Sequence, residues 1–195
     1  SALRYNTTGA YNTGIGYNTL AGNTTADGNT AVGYVALTAN TTGASNTAVG
    51  AYALDANTTA SNCTALGHNA LTANVDSTSN TAIGSNTLTV NNGGSYNTAL
   101  GTGSLSGNTT ASYNVALGYE AMDQNTTGAS NTAVGAMALE RNTTASNNTA
   151  VGYEALEENT DGADNTSVGA YALDANTTGD NNVALGKSAL SANTT

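Results

Sequence analysis

With 195 residues, no Pro, Trp or Phe, 23 Gly and only 8% charged residues, the chain has the composition neither of an ordinary globular domain nor of a typical disordered one. A net charge of -10 with three basic residues, Arg4, Arg141 and Lys187, leaves no cationic surface to neutralise phosphates, which argues against nucleic acid and anionic membranes as partners. No stretch approaches the ~20 apolar residues of a membrane helix, so no membrane insertion is expected, and one cysteine builds no disulfide framework.

From its first residues the chain repeats itself. Glycine stands at 16, 33, 50, 67, 84, 101, 118, 135, 152, 169 and 186, each 17 residues after the last. In the same phase Leu occupies 3, 20, 37, 54, 71, 88, 105, 139, 156, 173 and 190, with Met122 in the remaining slot, and Asn follows three residues after each. The consensus N-T-A-V-G-Y-x-A-L-x-x-N-T-T-G-x-x accounts for eleven repeats plus eight residues, so residues 1-195 read as one continuous array, a segment of a longer fibre.

Within each repeat the first predicted element is a short strand, T-A-V. The slot before the glycine holds only Val, Ile or Leu, from Ile15 to Leu185, and two residues earlier Thr gives way only to Val115 and Val183. A period of two places these slots on one face, read as the buried one. The residue between them is Ala except at Gly14 and Ser167, which suggests an outward row covered by a neighbouring chain or layer. Val49 and Leu54 are thus expected to point into the rod, and Ala48 and Ala53 outward.

The glycine marks a corner. A second short strand then carries Ala and Leu inward, and N-T-T plus a small residue forms the return loop. Helical solenoids fit poorly, because the Asn, Thr and Gly content opposes helix. The predicted fold is therefore all-β, a parallel β-solenoid or β-roll of eleven-plus 17-residue repeats. One repeat per coil gives a rod roughly 55 Å long, at about 4.8 Å per coil. The alternation Tyr119, Ala136, Tyr153, Ala170 leaves open two repeats per coil and half that length.

The Asn rows before Thr and after Leu are expected to stack as hydrogen-bonded ladders. Nine loops also read N-T-T, which makes Asn6, Asn23, Asn40, Asn57, Asn108, Asn125, Asn142, Asn176 and Asn193 candidate glycosylation sites, with the Thr hydroxyls as rival attachment points. Cys63, in an Asn slot, and His68 read as drift at exposed positions rather than a metal or nucleophile site. The acidic run from Glu154 to Asp164 lacks calcium-loop spacing and reads as a solvated edge. The ten Tyr fall at turn-adjacent slots, never in the core rows, and suit edge packing between coils or a surface-contacting stripe. No slot combines a base, a nucleophile and an orienting group, so no enzyme, metal or cofactor is expected.

The string Thr149-Ala150-Val151-Gly152-Tyr153-Glu154-Ala155-Leu156 resembles the S-V-A-I-G-x-x-A-x-A repeat of the head domains of trimeric autotransporter adhesins, and repeats of phage and marine-virus tail fibres. The likeness covers all eleven repeats, with a longer repeat and an added N-T-T loop here. It implies parallel β-rolls whose chains pack side by side. The expected function is an extracellular, cell-surface or virion-surface structural fibre that assembles with itself, head to tail or side by side as a trimer, and displays loops that carry glycans. An adhesin head and an ice-binding solenoid are the alternatives. Both ends stay in consensus phase, from Ser1-Ala2-Leu3 to Asn193-Thr194-Thr195, from which continuation or head-to-tail stacking is expected.

Overall fold

A computed structural model describes residues 1–195 and shows one repeat per coil. Eleven three-residue strands, from β1 (Thr13–Ile15) to β11 (Val183–Leu185), form a single parallel sheet in sequence order. Each residue pairs with the one 17 positions on, as in Thr47↔Thr64, Ala48↔Ala65 and Val49↔Leu66. The fold is an all-β parallel β-solenoid with no helix. Of 119 backbone hydrogen bonds only 20 lie within the strands, so the turns and loops are stacked on their neighbours as thoroughly as the sheet is.

The strand faces are the reverse of the expected arrangement. Ala48, in β3 (Thr47–Val49), is fully buried, whereas Thr47 is exposed and Val49 lies half-buried on the outside. The same holds along the sheet, where Ala31, Ala65, Ala82, Ala99, Ala116, Ala133 and Ala150 are all fully buried. The reason is width. A 17-residue coil encloses so little space that one Leu, the Ala side chains and two Asn amides fill it, and the inward strand position accepts nothing larger. Even polar substitutes there and in the Ala slot before Leu are small, and each finds an acceptor. Ser167 Oγ donates to Ala172 O at 2.6 Å, Ser104 Oγ to Ala116 O at 3.1 Å and Thr87 Oγ1 to Gly101 O at 2.8 Å.

The second strand expected after the glycine is a pair of turns, and this is why Ala53 and Leu54, adjacent in sequence, are both fully buried. Leu54 has φ 51°, and the twelve residues of its slot span φ 49° (Leu20) to 57° (Leu71). The left-handed region costs an L-residue roughly 1–2 kcal/mol. Burying a Leu side chain returns about 1.5–3 kcal/mol, so burial outweighs strain in every interior coil. The ten members from Leu20 to Leu173, Met122 among them, are fully buried.

The glycine corner is required on two counts. Its φ lies between 119° and 150°, and at Gly84 an added Cβ would stand 2.6 Å from Gly101 O and 2.7 Å from Gly101 C. Coil stacking brings successive glycine backbones too close for any side chain.

Candidate functional site

Two polar ladders run inside the rod, the first unbroken and the second interrupted at Cys63. In the first, each N-T-T Asn donates through Nδ2 to Oδ1 of its counterpart one coil earlier, as from Asn40 to Asn23 and from Asn57 to Asn40, both 2.9 Å. The same Nδ2 donates to the loop carbonyl three residues on, as from Asn40 to Gly43 O at 2.9 Å. Both amide hydrogens are therefore engaged, which is what a buried amide requires. In the second ladder the Asn before each strand accepts the backbone N–H of the next coil's counterpart, as Asn29 Oδ1 does from Asn46 at 2.9 Å. Its Nδ2 donates to the following coil's loop, as from Asn46 to Ala60 O at 2.8 Å.

The first ladder places the glycosylation candidates. Asn23, Asn40, Asn57, Asn108, Asn125, Asn142 and Asn176 are fully buried, and Asn6 and Asn193, in the terminal coils, are half-buried. A glycan on Nδ2 would replace a ladder hydrogen and has no room in the folded coil. What the loops present instead is their second Thr. Thr25, Thr42, Thr59, Thr110, Thr127 and Thr144 are exposed, while the first Thr turns its hydroxyl to a carbonyl one coil on, as Thr41 does to Thr58 O at 3.0 Å.

Cys63, expected at an exposed position, is buried in the second ladder. Its backbone N–H still reaches Asn46 Oδ1 at 2.9 Å, but its thiol makes only long contacts, 3.4 Å to Ser77 O and 3.7 Å to Ser61 O. Burial raises the thiol's pKa, which works against a reactive thiolate. The other ten coils hold Asn in this slot. Cys63→Asn is expected to restore a donor for Ser77 O and an acceptor for the Asn80 N–H, and to stabilise the rod by about 1 kcal/mol in denaturant unfolding. His68 lies outside, beyond the glycine corner, with its ring edge-on to Tyr52 at 6.2 Å.

On the outer surface three sets of residues differ in chemistry. The sheet face carries Thr on one rank, with Val at 115 and 183, and Val, Ile or Leu on the other, and no charged residue on either. Ile15, Leu66 and Leu100 are 60%, 45% and 49% exposed. The tyrosines, all at least partly exposed, flank that face in separate rows, Tyr96 and Tyr113 just before the strand and Tyr17, Tyr34 and Tyr52 just after the glycine corner. Tyr17 stacks on Tyr34 at 5.3 Å, Tyr34 meets Tyr52 edge-on at 5.4 Å, and Tyr96 stacks on Tyr113 at 5.2 Å.

The third set is acidic. Asp123, Glu140, Glu157 and Asp174 occupy one slot of four successive coils, with Glu120 and Glu154 beside them. Partial burial first, and neighbouring carboxylates second, hold Glu140 and Glu157 above the usual carboxylate range, with Arg141 offsetting. Arg141 pairs with Glu158 at 2.5 Å, an exposed contact of little net value. Asp55 is raised by burial alone. A folded-state pKa above the unfolded one favours protonation on folding, so this penalty is full at neutral pH and is relieved as pH falls through the raised values. The melting temperature is expected to be higher at pH 5 than at pH 7, and Glu140→Gln with Glu157→Gln should flatten that slope.

Comparison with protein-family models, with curated proteins and with solved structures returns no match for this chain.

Proposed function

We propose that the chain is a structural segment of an extracellular, cell-surface or virion-surface fibre, a stiff spacer that associates side by side with copies of itself. The observation that carries this reading is the sheet face. Nine Thr and two Val on one rank and eleven aliphatic residues on the other run the length of the rod without a charge, on a chain whose net charge is -10. The acidic residues lie on other surfaces, so this is the face on which two acidic rods can meet without opposing like charges. The likeness to the β-roll repeats of adhesin heads and tail fibres supports the same arrangement, with a trimer as the closed form. The loops on the far side then form regular ranks, and a glycan, if the source attaches one, goes to the exposed Thr.

The same ranks of hydroxyl and methyl groups support a second reading, an ice-binding surface formed by the strand Thr rather than the loops. Sedimentation velocity and thermal hysteresis on one preparation separate the two. A fibre segment sediments as oligomers that Val49→Lys with Leu100→Lys disperses. A monomer at high concentration with thermal hysteresis overturns the fibre reading in favour of ice.

A further inference from the structure

We infer that Tyr96 and Tyr113 form a site of oxidative cross-linking that ties one coil covalently to the next. The two residues occupy the same slot of consecutive repeats, so their Cα atoms stand one coil apart, about 4.8 Å. Both take the left-handed conformation, with φ 61° and 64°. The rings are stacked at 5.2 Å with an interplanar angle of 1°, and remain 54% and 62% exposed. Each is therefore open to an oxidant while already beside its coupling partner. Tyr17 and Tyr34 repeat the arrangement in a different slot, at 5.3 Å and 10°.

The oxidant is hydrogen peroxide, used by a haem peroxidase. One electron and one proton leave each phenol, giving two phenoxyl radicals whose unpaired density lies partly on the ring carbons beside the C–O carbon. A carbon–carbon bond forms between two such carbons, and the hydrogen on each moves to its own oxygen as the rings regain aromaticity. The pair loses two hydrogens in all, and one peroxide becomes two waters. The product joins residues 17 apart in sequence, restricting the unfolded chain as a disulfide would. Held beside its partner in advance, the pair couples without waiting for a second chain.

The test treats the dilute native chain with a haem peroxidase and hydrogen peroxide, then follows dityrosine fluorescence, band position on a denaturing gel, and cross-linked peptides by mass spectrometry. The expected result is fluorescence in a band that stays monomeric, with a peptide joining residue 96 to residue 113. Tyr113→Phe keeps the stacked ring and the fold, checked by circular dichroism, yet abolishes that peptide and leaves one joining residue 17 to residue 34. The inference is overturned if products run as dimers joined through Tyr11, the most exposed tyrosine at 92%, or if Tyr113→Phe leaves the fluorescence unchanged. Both readouts concern a single chain, so they stand or fall independently of side-by-side assembly.

Discussion

Replacing Gly84 by alanine is expected to disrupt the rod at its middle. The added Cβ would meet Gly101 O at 2.6 Å and Thr87 Oγ1 at 2.8 Å, and only the hydroxyl belongs to a side chain that can turn away. Both residues are fixed by the stack, with Gly84 N donating to Leu66 O and Gly101 N to Ile83 O, each at 2.8 Å, and Gly101 O accepting from Ser104 N at 3.3 Å and Thr87 Oγ1 at 2.8 Å. Relief therefore requires two coils to separate, with loss of the hydrogen bonds that join them, and φ 136° is strained for alanine besides. A loss of about 3–5 kcal/mol is the expected scale, the range of the most damaging single substitutions. Circular dichroism melting should show a large fall in midpoint. Gly28→Ala is the control, because an added Cβ there meets nothing closer than 3.7 Å and only its φ of 69° is unfavourable.

The second large effect separates the two faces of one strand. Ala48→Asp should unfold the coils around β3, since a lone carboxylate in that interior has no partner and costs several kcal/mol. Val49→Asp, one residue on, should leave the coil folded, because its side chain stands on the half-exposed outer rank. Equal losses in the two variants would contradict the burial pattern. If the rods assemble side by side as proposed, Val49→Asp should also weaken that association, by placing a charge on the uncharged face of an acidic chain.

How these faces escape a sequence reading is instructive. The period of 17, the glycine corner and the stacked Asn rows were all legible, because each rests on a residue type that few others can replace in its role. The inward face was not. An aliphatic row beside an alanine row invites the rule that large apolar residues go inside, and that rule presumes an interior wide enough to hold them. In so thin a coil, uniform small size is the mark of the interior, and the spread from Val32 to Leu66 to Ile83 is the mark of a surface with room to vary. The burial of the N-T-T Asn was hidden in a similar way, since the sequon is read as a property of exposed loops.

The left-handed Leu slot was hidden for another reason: nothing in a Leu announces φ near 50°. Two other left-handed slots do carry a signal. Gly28, Asn62, Asn147 and Asn181 share the slot of Tyr96, and Asn18, Asn69, Asn86 and Gly103 share the slot two before Leu, all with positive φ. Gly and Asn recurring in phase are the residues that tolerate this region most readily.

The constant register of 17 also governs how the chain reaches this state. Every strand pairs only with the strand one repeat away, so no strand pairing closes a longer loop than any other. A parallel sheet ordinarily folds slowly, because distant segments must meet before any contact rewards them. Here two adjoining coils can form wherever they first meet, after which each further coil docks on a finished template and closes one repeat of chain. The difficult event is the first pairing, when three non-glycine residues per repeat enter the left-handed region with no neighbour to bury them against. Growth from that nucleus runs outward in both directions as a zipper.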